Sequence, residues 1–251
     1  MKKIVVVTGA ASGIGQAIAW RAARDGHIII AVDIQEPDDT IETISNNGGN
    51  AAPFLCDLRD SKSVEGLFAW VRKTYGAVDI LVNNAGTMGR WPLSITEMTE
   101  SDWNTIFDTN VKSIFLCCRQ VLPEMRKRGS GVIVNIASEL AFVAAEGAAV
   151  YCASKAAVVQ LTRALAVEEA KYGIRINSVC PGPVDTGLLK PTVGATPDDV
   201  ESEILAATTS TVLQRLGTPK EIAEVVWFTA SEGASFMVGT ALIVDGGATA
   251  V

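Results

Sequence analysis

The chain has 251 residues, of which 48% are hydrophobic and 20% are charged. This balance is typical of a globular protein and excludes an intrinsically disordered one. The formal net charge is −7 and no basic run occurs, which disfavours nucleic acid and anionic membrane surfaces as partners. No apolar stretch approaches the roughly 20 residues that a membrane-spanning helix needs.

The cysteines and the single histidine predict neither a disulfide framework nor a metal site. The five cysteines form no C-x-x-C pair, and His27 stands alone. Such usage is typical of small buried side chains in a reducing compartment. The apolar run after Met1-Lys2-Lys3 is also too short for the roughly 7–15-residue core of a secretory signal. We therefore expect a cytoplasmic protein without a metal.

The chain begins with a predicted strand over 3–8, a glycine-rich turn and a predicted helix over 13–25. The turn reads Thr8-Gly9-Ala10-Ala11-Ser12-Gly13-Ile14-Gly15, with the spacing G-x-x-x-G-x-G rather than the commoner G-x-G-x-x-G. Glycines let the backbone approach phosphates, and a helix N-terminus offers N–H groups and a positive dipole end. This order predicts a dinucleotide pyrophosphate site.

A second predicted strand, 27–33, ends on Asp33, 18 positions after Gly15. An acid that holds the adenosine ribose of a dinucleotide is expected about 20 positions on. We therefore predict that Asp33 binds the ribose of NAD and repels the 2′-phosphate of NADP. The alternative is that Asp33 only caps the turn, while Gln35 or Glu36 faces the ribose.

Apolar runs and helical patterns alternate along the rest of the chain. Further strands are predicted at 51–56, 78–83, 131–137, 174–180 and 240–244, and helices at 38–47, 61–74, 109–128, 151–172 and 219–231. Several of these strands are apolar on both faces, as in parallel sheets covered by helices. The pattern predicts an α/β, doubly wound, open parallel sheet of about seven strands and one domain over 1–251.

The longest stretch without clear periodicity is about 181–200, and a short helix is predicted over 198–207. A loop of this length in a compact domain is often a lid over a site. A lid at about 184–207 and a disordered surface loop both remain open at this point.

A second cluster reads Tyr151-Cys152-Ala153-Ser154-Lys155. Residues four apart on a helix share a face, so the Lys155 ammonium is expected to lower the pKa of Tyr151 below its ordinary value of about 10. Such a pair can exchange a proton during alcohol–carbonyl interconversion. Ser138 follows the strand 131–137 at the sheet edge where ligands bind in open α/β folds. The alternatives are an unrelated surface pair and a serine that caps a strand.

Taken in order, these motifs resemble the short-chain dehydrogenase/reductase family, whose fold is a Rossmann-type sheet. The resemblance covers nearly the whole chain. It rests on the turn 8–15, Cys56-Asp57-Leu58, Asn83-Asn84-Ala85-Gly86, Asp108-Thr109-Asn110-Val111, Ser138 with Tyr151 and Lys155, Pro181-Gly182-Pro183-Val184-Asp185-Thr186, Val238-Gly239, and Val244-Asp245-Gly246-Gly247.

The resemblance implies a set of catalytic roles. Tyr151 would be the general acid/base, and Ser138 would orient the substrate oxygen and stabilise its charge. Lys155 would lower the pKa of Tyr151 and bind the nicotinamide ribose. Asn110 would hold a water that links Lys155 to solvent. The resemblance also implies a homotetramer assembled through helices 109–128 and 151–172.

The resemblance further implies a cofactor site for NAD. Asp57 would contact the adenine, and the Val184 backbone and Thr186 hydroxyl would hold the carboxamide and phosphate side. The predicted cofactor-binding residues are Gly9, Ser12, Gly13, Ile14, Gly15, Asp33, Asp57, Leu58, Asn84, Ala85, Gly86, Tyr151, Lys155, Pro181, Gly182, Val184 and Thr186.

Three segments, 87–91, 139–147 and 184–205, are expected to line the substrate pocket. The candidate pocket residues are Met88, Leu140, Glu146 and Leu188. Trp91 and Phe142 add to a mostly apolar character, and Arg90, Glu139 and Glu146 are its charged exceptions. This composition favours a weakly polar, alicyclic secondary alcohol or ketone as substrate.

The expected function is an NAD(H)-dependent oxidoreductase that interconverts a secondary alcohol and a ketone. One alternative is an NADPH-dependent 3-oxoacyl-thioester reductase, which Asp33 and the uncharged Ala11 oppose because neither binds a 2′-phosphate. Another is a non-catalytic NAD-binding sensor on the same fold, which the intact set of Ser138, Tyr151 and Lys155 opposes.

Overall fold

Seven parallel strands form one sheet in the computed structural model, which describes residues 2–189 and 196–250. The strand order is β3-β2-β1-β4-β5-β6-β7, and every neighbouring pair is parallel. The strands are β1 (Ile4–Thr8), β2 (Ile28–Asp33), β3 (Asn50–Leu55), β4 (Ile80–Asn83), β5 (Gly131–Ile136), β6 (Ile174–Pro181) and β7 (Ala241–Val244). The predicted doubly wound fold is confirmed.

Eight α-helices connect or follow these strands in the described ranges. They are α1 (Gly13–Arg24), α2 (Asp38–Asn46), α3 (Ser61–Thr74), α4 (Glu100–Phe107), α5 (Ser113–Arg128), α6 (Ala149–Glu169), α7 (Pro197–Thr209) and α8 (Pro219–Ala230). A π-helical turn, Asp108–Lys112, joins α4 to α5.

The predicted helix over 109–128 therefore misses α4, which begins at Glu100. The helix start is marked by a capping box in which the Thr99 hydroxyl accepts from the Asp102 amide at 3.2 Å and the Asp102 carboxylate accepts from the Thr99 amide at 2.8 Å. The commoner box carries Glu or Gln at this position, and the shorter Asp weakens the sequence signal.

Both faces of the sheet are covered, which explains the continuous apolar runs. Val6 of β1 belongs to a buried cluster with Phe68 of α3, whereas Val5 belongs to a second cluster with Ile18 of α1 and Val226 of α8. Successive strand residues point to opposite faces, so each strand contributes to both cores. Neither face can accept a polar residue without a partner.

The strand order reverses between β1 and β4, and ligands of open α/β sheets bind in the crevice at such a switch point. The glycine turn follows β1, Asn84 follows β4, and Ser138 lies two residues beyond β5. The fold therefore gathers the predicted motifs at one edge of the sheet.

Of the helices in the described part of the chain, none has both the length and the apolar character needed to cross a membrane.

Candidate active site

The glycine turn is tight enough to exclude any side chain at two positions. Gly9 has φ of +66°, and a Cβ there would lie 2.8 Å from Asn84 Nδ2. A Cβ on Gly15 would collide with the Gly9 carbonyl oxygen. Ser12 precedes α1 without a side-chain capping bond, so the first N–H groups of the helix have no partner within it. This bare, positively polarised cradle fits a diphosphate.

Side chains at the end of β4 hold this turn in place. Asn84 Nδ2 donates to the carbonyl oxygens of Thr8 and Gly9, at 3.0 and 3.1 Å. In return, the Thr8 hydroxyl accepts from the backbone N–H groups of Asn84 and Ala85, at 2.9 and 3.1 Å. The predicted cofactor residues Asn84 and Ala85 therefore define the shape of the turn.

Asp33 lies at the end of β2, beside the same turn. Its Oδ2 accepts from the Ala11 N–H at 2.9 Å, and its Oδ1 accepts from Ile34 and Gln35 at 2.7 and 3.1 Å. The capping role that the sequence left as an alternative is therefore present. Each carboxylate oxygen can accept more than one bond, so these contacts leave capacity for a ribose hydroxyl.

Asp57 and Leu58 follow β3. Arg59 Nη2 lies 2.7 Å from Asp57 Oδ2, and this pairing holds the pKa of the Asp57 carboxyl below its usual value. Leu58 is buried. The Asp57 carboxylate is thus engaged by its neighbour in the chain, and its contact with an adenine stays a prediction.

The three central residues predicted for catalysis line one cavity of about 500 Å³ at the carboxyl edge of the sheet. Ser138 is supplied by the loop after β5, and Tyr151 and Lys155 lie one turn apart on α6. All three side chains are buried, with 6%, 6% and 4% of their surface exposed. Residues 17 positions apart in sequence therefore meet in a site shielded from water.

The protein's own groups together raise the pKa of Tyr151, contrary to the sequence expectation, and only a hydrogen bond with Ser138 acts to lower it. Burial raises the pKa of Tyr151 well above its ordinary value of 10, and the charge of Glu139 acts in the same direction. Burial also lowers the pKa of Lys155 to about 8. Lys155 Nζ donates to the Ile136 carbonyl at 3.0 Å and lies 5.6 Å from the centre of the Tyr151 ring. At that distance the ammonium does not offset the desolvation of the phenol.

Asn110 is buried in the π-helical turn and connects three parts of the site. Its Oδ1 accepts from the Thr87 N–H at 2.8 Å, and its Nδ2 donates to the Thr87 carbonyl at 2.9 Å and to Ser154 Oγ at 3.0 Å. Ser154 Oγ in turn donates to the Tyr151 carbonyl at 2.7 Å. Both N–H groups of the Asn110 side-chain amide are used. The water relay stays a prediction, in which the water would bind to atoms of Asn110 other than Nδ2.

The loop 181–186 is held by a parallel bridge between Val184 and Gly217. The Gly217 N–H donates to the Pro183 carbonyl and the Asp185 N–H donates to the Gly217 carbonyl, both at 2.9 Å. Backbone groups alternate in direction along an extended segment, so the Val184 N–H and carbonyl face away from Gly217. Val184 lines the cavity, and its backbone is placed to bond a ligand there.

The same loop closes against the glycine turn. A Cβ on Gly13 would lie 3.2 Å from Thr186 Cγ2, and both Ile14 and Thr186 line the cavity. A Cβ on Gly182 would lie 2.6 Å from the Cα of Asp245, so glycine is required where β6 ends beside the segment after β7. The cavity and the phosphate cradle are therefore continuous.

Gly86 and Pro181 complete the set of predicted cofactor residues. Both line the cavity, and a Cβ on Gly86 would lie 3.3 Å from Lys155 Nζ. A larger residue at position 86 would therefore crowd Lys155.

The predicted substrate residues do not all reach the cavity. Met88, Leu140 and Leu188 line it. Glu146 is exposed and outside the lining, because the loop turns outward and presents Ala144 and Ala145 instead. The prediction for Glu146 is corrected accordingly.

The other residues considered for the pocket divide in the same way. Trp91 lines the cavity, whereas Phe142 is 45% exposed and lies outside it. Arg90 pairs with Asp102 at 3.3 Å. Glu139, expected as a charged exception, is buried and lines the cavity.

Helix α7 forms a wall of the cavity that the sequence did not assign residue by residue. It begins at Pro197, near the predicted start at 198, and its capping box of Thr196 and Asp199 is a signal for that start. The residues that α7 and its end contribute are Glu203, Ala206, Ala207 and Ser210. Residues 190–195 of the predicted lid lie outside the described residues.

Comparisons with known proteins identify relatives of this chain over nearly its whole length. A family model described as enoyl-(acyl carrier protein) reductase matches residues 9–249. The chain is 40% identical to an uncharacterized oxidoreductase of Thermotoga maritima, over 99% of this chain and 98% of that protein. It is 38% identical to cis-4-hydroxycyclohexanecarboxylate dehydrogenase of Sinomonas cyclohexanicum, over 100% of this chain and 98% of that protein.

A solved structure extends the likeness to three dimensions. A putative short-chain dehydrogenase/reductase from Burkholderia xenovorans superposes with a TM-score of 0.93 at 37% identity, covering 99% of this chain and 97% of that one. The chain belongs to the short-chain dehydrogenase/reductase family. It is an oxidoreductase.

Proposed function

We propose that this oxidoreductase interconverts a secondary alcohol and a ketone with NAD(H) as the hydride carrier and Tyr151 as the general acid/base. The observation that carries the proposal is the meeting of Ser138, Tyr151 and Lys155 in one buried cavity, continuous with a phosphate-sized glycine cradle. Hydride chemistry needs both a dry site and a proton partner for the reacting oxygen.

The residues present fit a dinucleotide. The turn 9–15 would hold the pyrophosphate, Asp33 the adenosine ribose, and the backbone of 182–186 the nicotinamide end. When bound, the nicotinamide supplies hydride transfer to or from the substrate carbon. The protein's own residues would bind and orient the substrate and would transfer the proton at the substrate oxygen.

In ketone reduction, Tyr151 donates its phenolic proton to the reacting oxygen, and the Ser138 hydroxyl donates a hydrogen bond to the same atom. Burial raises the pKa of Tyr151, so the phenol holds its proton until the oxygen develops charge. The Lys155 ammonium, 5.6 Å from the ring, stabilises the phenolate that forms. Alcohol oxidation runs the proton the other way and therefore speeds up as pH rises.

The charges near the cradle support NAD rather than NADP. Asp33 accepts from the Ala11 N–H of the turn itself, and a carboxylate beside this turn supports binding of an unphosphorylated ribose. Residues 9–15 and 33–36 contain no lysine or arginine that could bind a 2′-phosphate. We expect a preference of at least about 10-fold for NAD, since charge-assisted bonds are worth roughly 1.5–3 kcal/mol.

The walls of the cavity support a weakly polar, alicyclic substrate. Met88, Trp91, Leu140 and Leu188 supply much of its lining, and apolar walls favour ligands with hydrocarbon surface. The relative from Sinomonas cyclohexanicum is named as a cis-4-hydroxycyclohexanecarboxylate dehydrogenase; its name supports the alicyclic ring, and that substrate also carries a carboxylate.

The direct test is an assay of the purified protein with a panel of secondary alcohols and ketones. Change in reduced-cofactor absorbance is followed with NAD(H) and, in parallel, with NADP(H). We expect turnover of alicyclic alcohols or ketones with NAD(H). Cofactor binding without turnover of any panel member would favour a sensor, and turnover restricted to 3-oxoacyl thioesters with NADPH would favour the thioester reductase.

We also propose a homotetramer assembled through α5 and α6. Phe115 of α5 and Val167 of α6 are 49% and 82% exposed, so both helices present apolar side chains that a second copy of the chain can cover. Light scattering on the purified protein tests the assembly, with a mass near one chain as the contradicting result. A cytoplasmic location stays a prediction from composition.

A further inference from the structure

A buried carboxylate lies directly beside the catalytic serine. Glu139 is 9% exposed and lines the cavity, and Ser138 Oγ donates to Glu139 Oε2 at 2.8 Å. No ion pair involves Glu139 within the described ranges 2–189 and 196–250. A buried acid without a cation is expensive unless it is neutral or serves the reaction.

The hydrogen bonds of Ser138 set a limit on what it can do. A serine hydroxyl has one O–H to donate and two lone pairs to accept. Ser138 Oγ accepts from the Leu140 N–H at 3.1 Å and gives its O–H to Glu139. The Tyr151 hydroxyl is a further hydrogen-bond partner of Ser138. As long as Glu139 is a carboxylate, which only accepts, Ser138 has no proton left for a substrate oxygen.

We propose that Glu139 is a positioning residue that works in its neutral form, donating its own O–H to Ser138 Oγ and freeing the Ser138 proton for the reacting oxygen. Both lone pairs of Ser138 Oγ are then filled, by Leu140 N–H and by Glu139, and the hydroxyl proton is fixed in the remaining direction. The inference rests on the proposed function, because it assigns Ser138 to the substrate oxygen.

The surroundings of Glu139 favour the neutral acid. Burial raises the pKa of Glu139 above its ordinary value of 4.5, and the charge of Asp245 acts in the same direction, while hydrogen bonds from Ser138 and from the Glu139 and Leu140 backbone N–H groups act to lower it. Among the described residues that line the cavity, Lys155 is the one cation, and it donates to the Ile136 carbonyl. The titratable groups that interact with Glu139 are Tyr151 on α6, Cys180 on β6 and Asp245 after β7, and Lys155 and Glu203 line the same cavity.

The proposal has a consequence for the pH dependence of ketone reduction. Above the pKa of Glu139, the carboxylate accepts the hydrogen bond from the Ser138 hydroxyl, which is then not available to the substrate. The value of kcat/KM should therefore fall about tenfold per pH unit there. Tyr151, whose pKa is raised, still holds its proton over that range. The fall therefore does not belong to Tyr151, and replacement of Glu139 separates it from loss of the charge on Lys155, whose pKa is about 8.

The test compares Glu139→Gln with the wild type in ketone reduction with NADH across the pH range. The glutamine amide donates to Ser138 Oγ at every pH, as the neutral acid does. We expect the variant to lose the fall and to exceed the wild type above the pKa of Glu139, by up to the roughly 10²–10³-fold that one oxyanion donor contributes. Glu139→Ala should also lose the fall, but with a lower plateau, since Ser138 is no longer fixed.

Two further variants separate this role from a general loss of negative charge. Ser138→Ala should abolish the advantage of Glu139→Gln, since the two residues act as one unit. Glu124→Gln removes a charge from an exposed position of α5 and should keep the wild-type profile. Two results would overturn the proposal. One is a Glu139→Gln variant whose kcat/KM still falls with pH as in the wild type, and the other is a higher kcat/KM of Glu139→Gln that persists when Ser138 is replaced by alanine.

An infrared measurement tests the same point without turnover. The wild type minus Glu139→Gln difference spectrum should show the C=O band of a protonated carboxyl, which disappears at the pH where reduction falls. Its absence across the active range would overturn the role of Glu139. Loss of turnover in Tyr151→Phe is independent of these results, so a full rate in that variant would contradict the proposed function and not this inference alone.

Discussion

The glycine turn and the cavity form one continuous cleft, and its cofactor end and substrate end are built in different ways. At the cofactor end, turn 9–15 is held because Asn84 Nδ2 donates to the Gly9 carbonyl and the Ala11 N–H donates to Asp33. Glycine is the only residue that fits at two positions of the turn. At the substrate end, α7 has no buried residue and its Leu205 is 62% exposed. The cofactor end can therefore hold only one shape, while residues of α7 at the substrate end can be substituted at little cost in stability.

The electrostatics of the two ends also differ. Asp33, at the cofactor end, is half-buried. Glu139, Tyr151 and Lys155, toward the substrate end, are buried, and burial shifts the pKa of each toward its neutral form. Cofactor binding therefore depends on backbone shape, whereas reactivity depends on desolvated side chains.

The largest expected effect is at the reactive end. Tyr151→Phe removes the proton-transferring hydroxyl and keeps the ring, so turnover should fall by roughly 10²–10⁴-fold while the affinity for NADH hardly changes. Steady-state rates and a fluorescence titration with NADH measure both quantities. Tyr172→Phe, at a partly exposed tyrosine beyond α6, is the matched control and should retain both. Near wild-type turnover in Tyr151→Phe would remove Tyr151 from the mechanism.

The desolvated lysine should reduce the stability of the protein measured without cofactor. The folded pKa of Lys155 is about 8 against 10.5 for the free side chain, so between these values the unfolded chain holds more protons and stability rises with pH. Below pH 8 the cost is largest. Lys155→Met should then raise the free energy of unfolding by about 1–3 kcal/mol, after the lost bond to Ile136 is counted.

Denaturant titrations from neutral pH through this window measure that difference, which should shrink as pH rises toward 10.5. Lys62→Met, at an exposed position of α3, should show no such trend. A difference that stays constant with pH would mean that Lys155 does not titrate in the folded protein within the window.

A change at the cofactor end should act through backbone shape. Gly15→Ala introduces a Cβ against the Gly9 carbonyl oxygen and 2.5 Å from Asn84 Nδ2, so overpacking should cost about 1–3 kcal/mol and weaken NADH binding. Gly66→Ala is the control, because nothing lies within 4 Å of a Cβ there and alanine in a helix gains roughly 0.5–1 kcal/mol. Thermal unfolding and NADH titration compare them. Equal effects of the two substitutions would show that the turn is not tight.

The smallest predicted effect concerns cofactor choice. Asp33→Ala should weaken NAD and reduce the 10–100-fold discrimination against NADP, since a carboxylate that binds the ribose also repels a 2′-phosphate. The ratio of kcat/KM for the two cofactors is measured in wild type and variant. Asp38→Ala, an exposed acid at the start of α2, serves as the control. An unchanged ratio in Asp33→Ala would leave the residue with its capping role alone.

Local sequence patterns were sufficient for the sheet and the phosphate cradle. Strands buried on both faces are mostly apolar, so β1, β4 and β5 each contain a run of Val, Ile or Leu residues, and the buried Asn83 and Asn135 in β4 and β5 bond each other. The glycine turn is likewise a short-range requirement of the backbone. Helix α4 escaped detection because its first turn depends on one Thr–Asp capping box rather than on a strong apolar period.

By itself, the sequence determined the parallel sheet, the glycine turn at its edge and the candidates Ser138, Tyr151 and Lys155, because each depends on the order and spacing of neighbouring residues. Only the tertiary structure decided that Glu146 is exposed while Glu139 is buried against Ser138, and that the pKa of Tyr151 is raised. Burial is a property of what packs around a side chain from distant elements, and no local pattern records it.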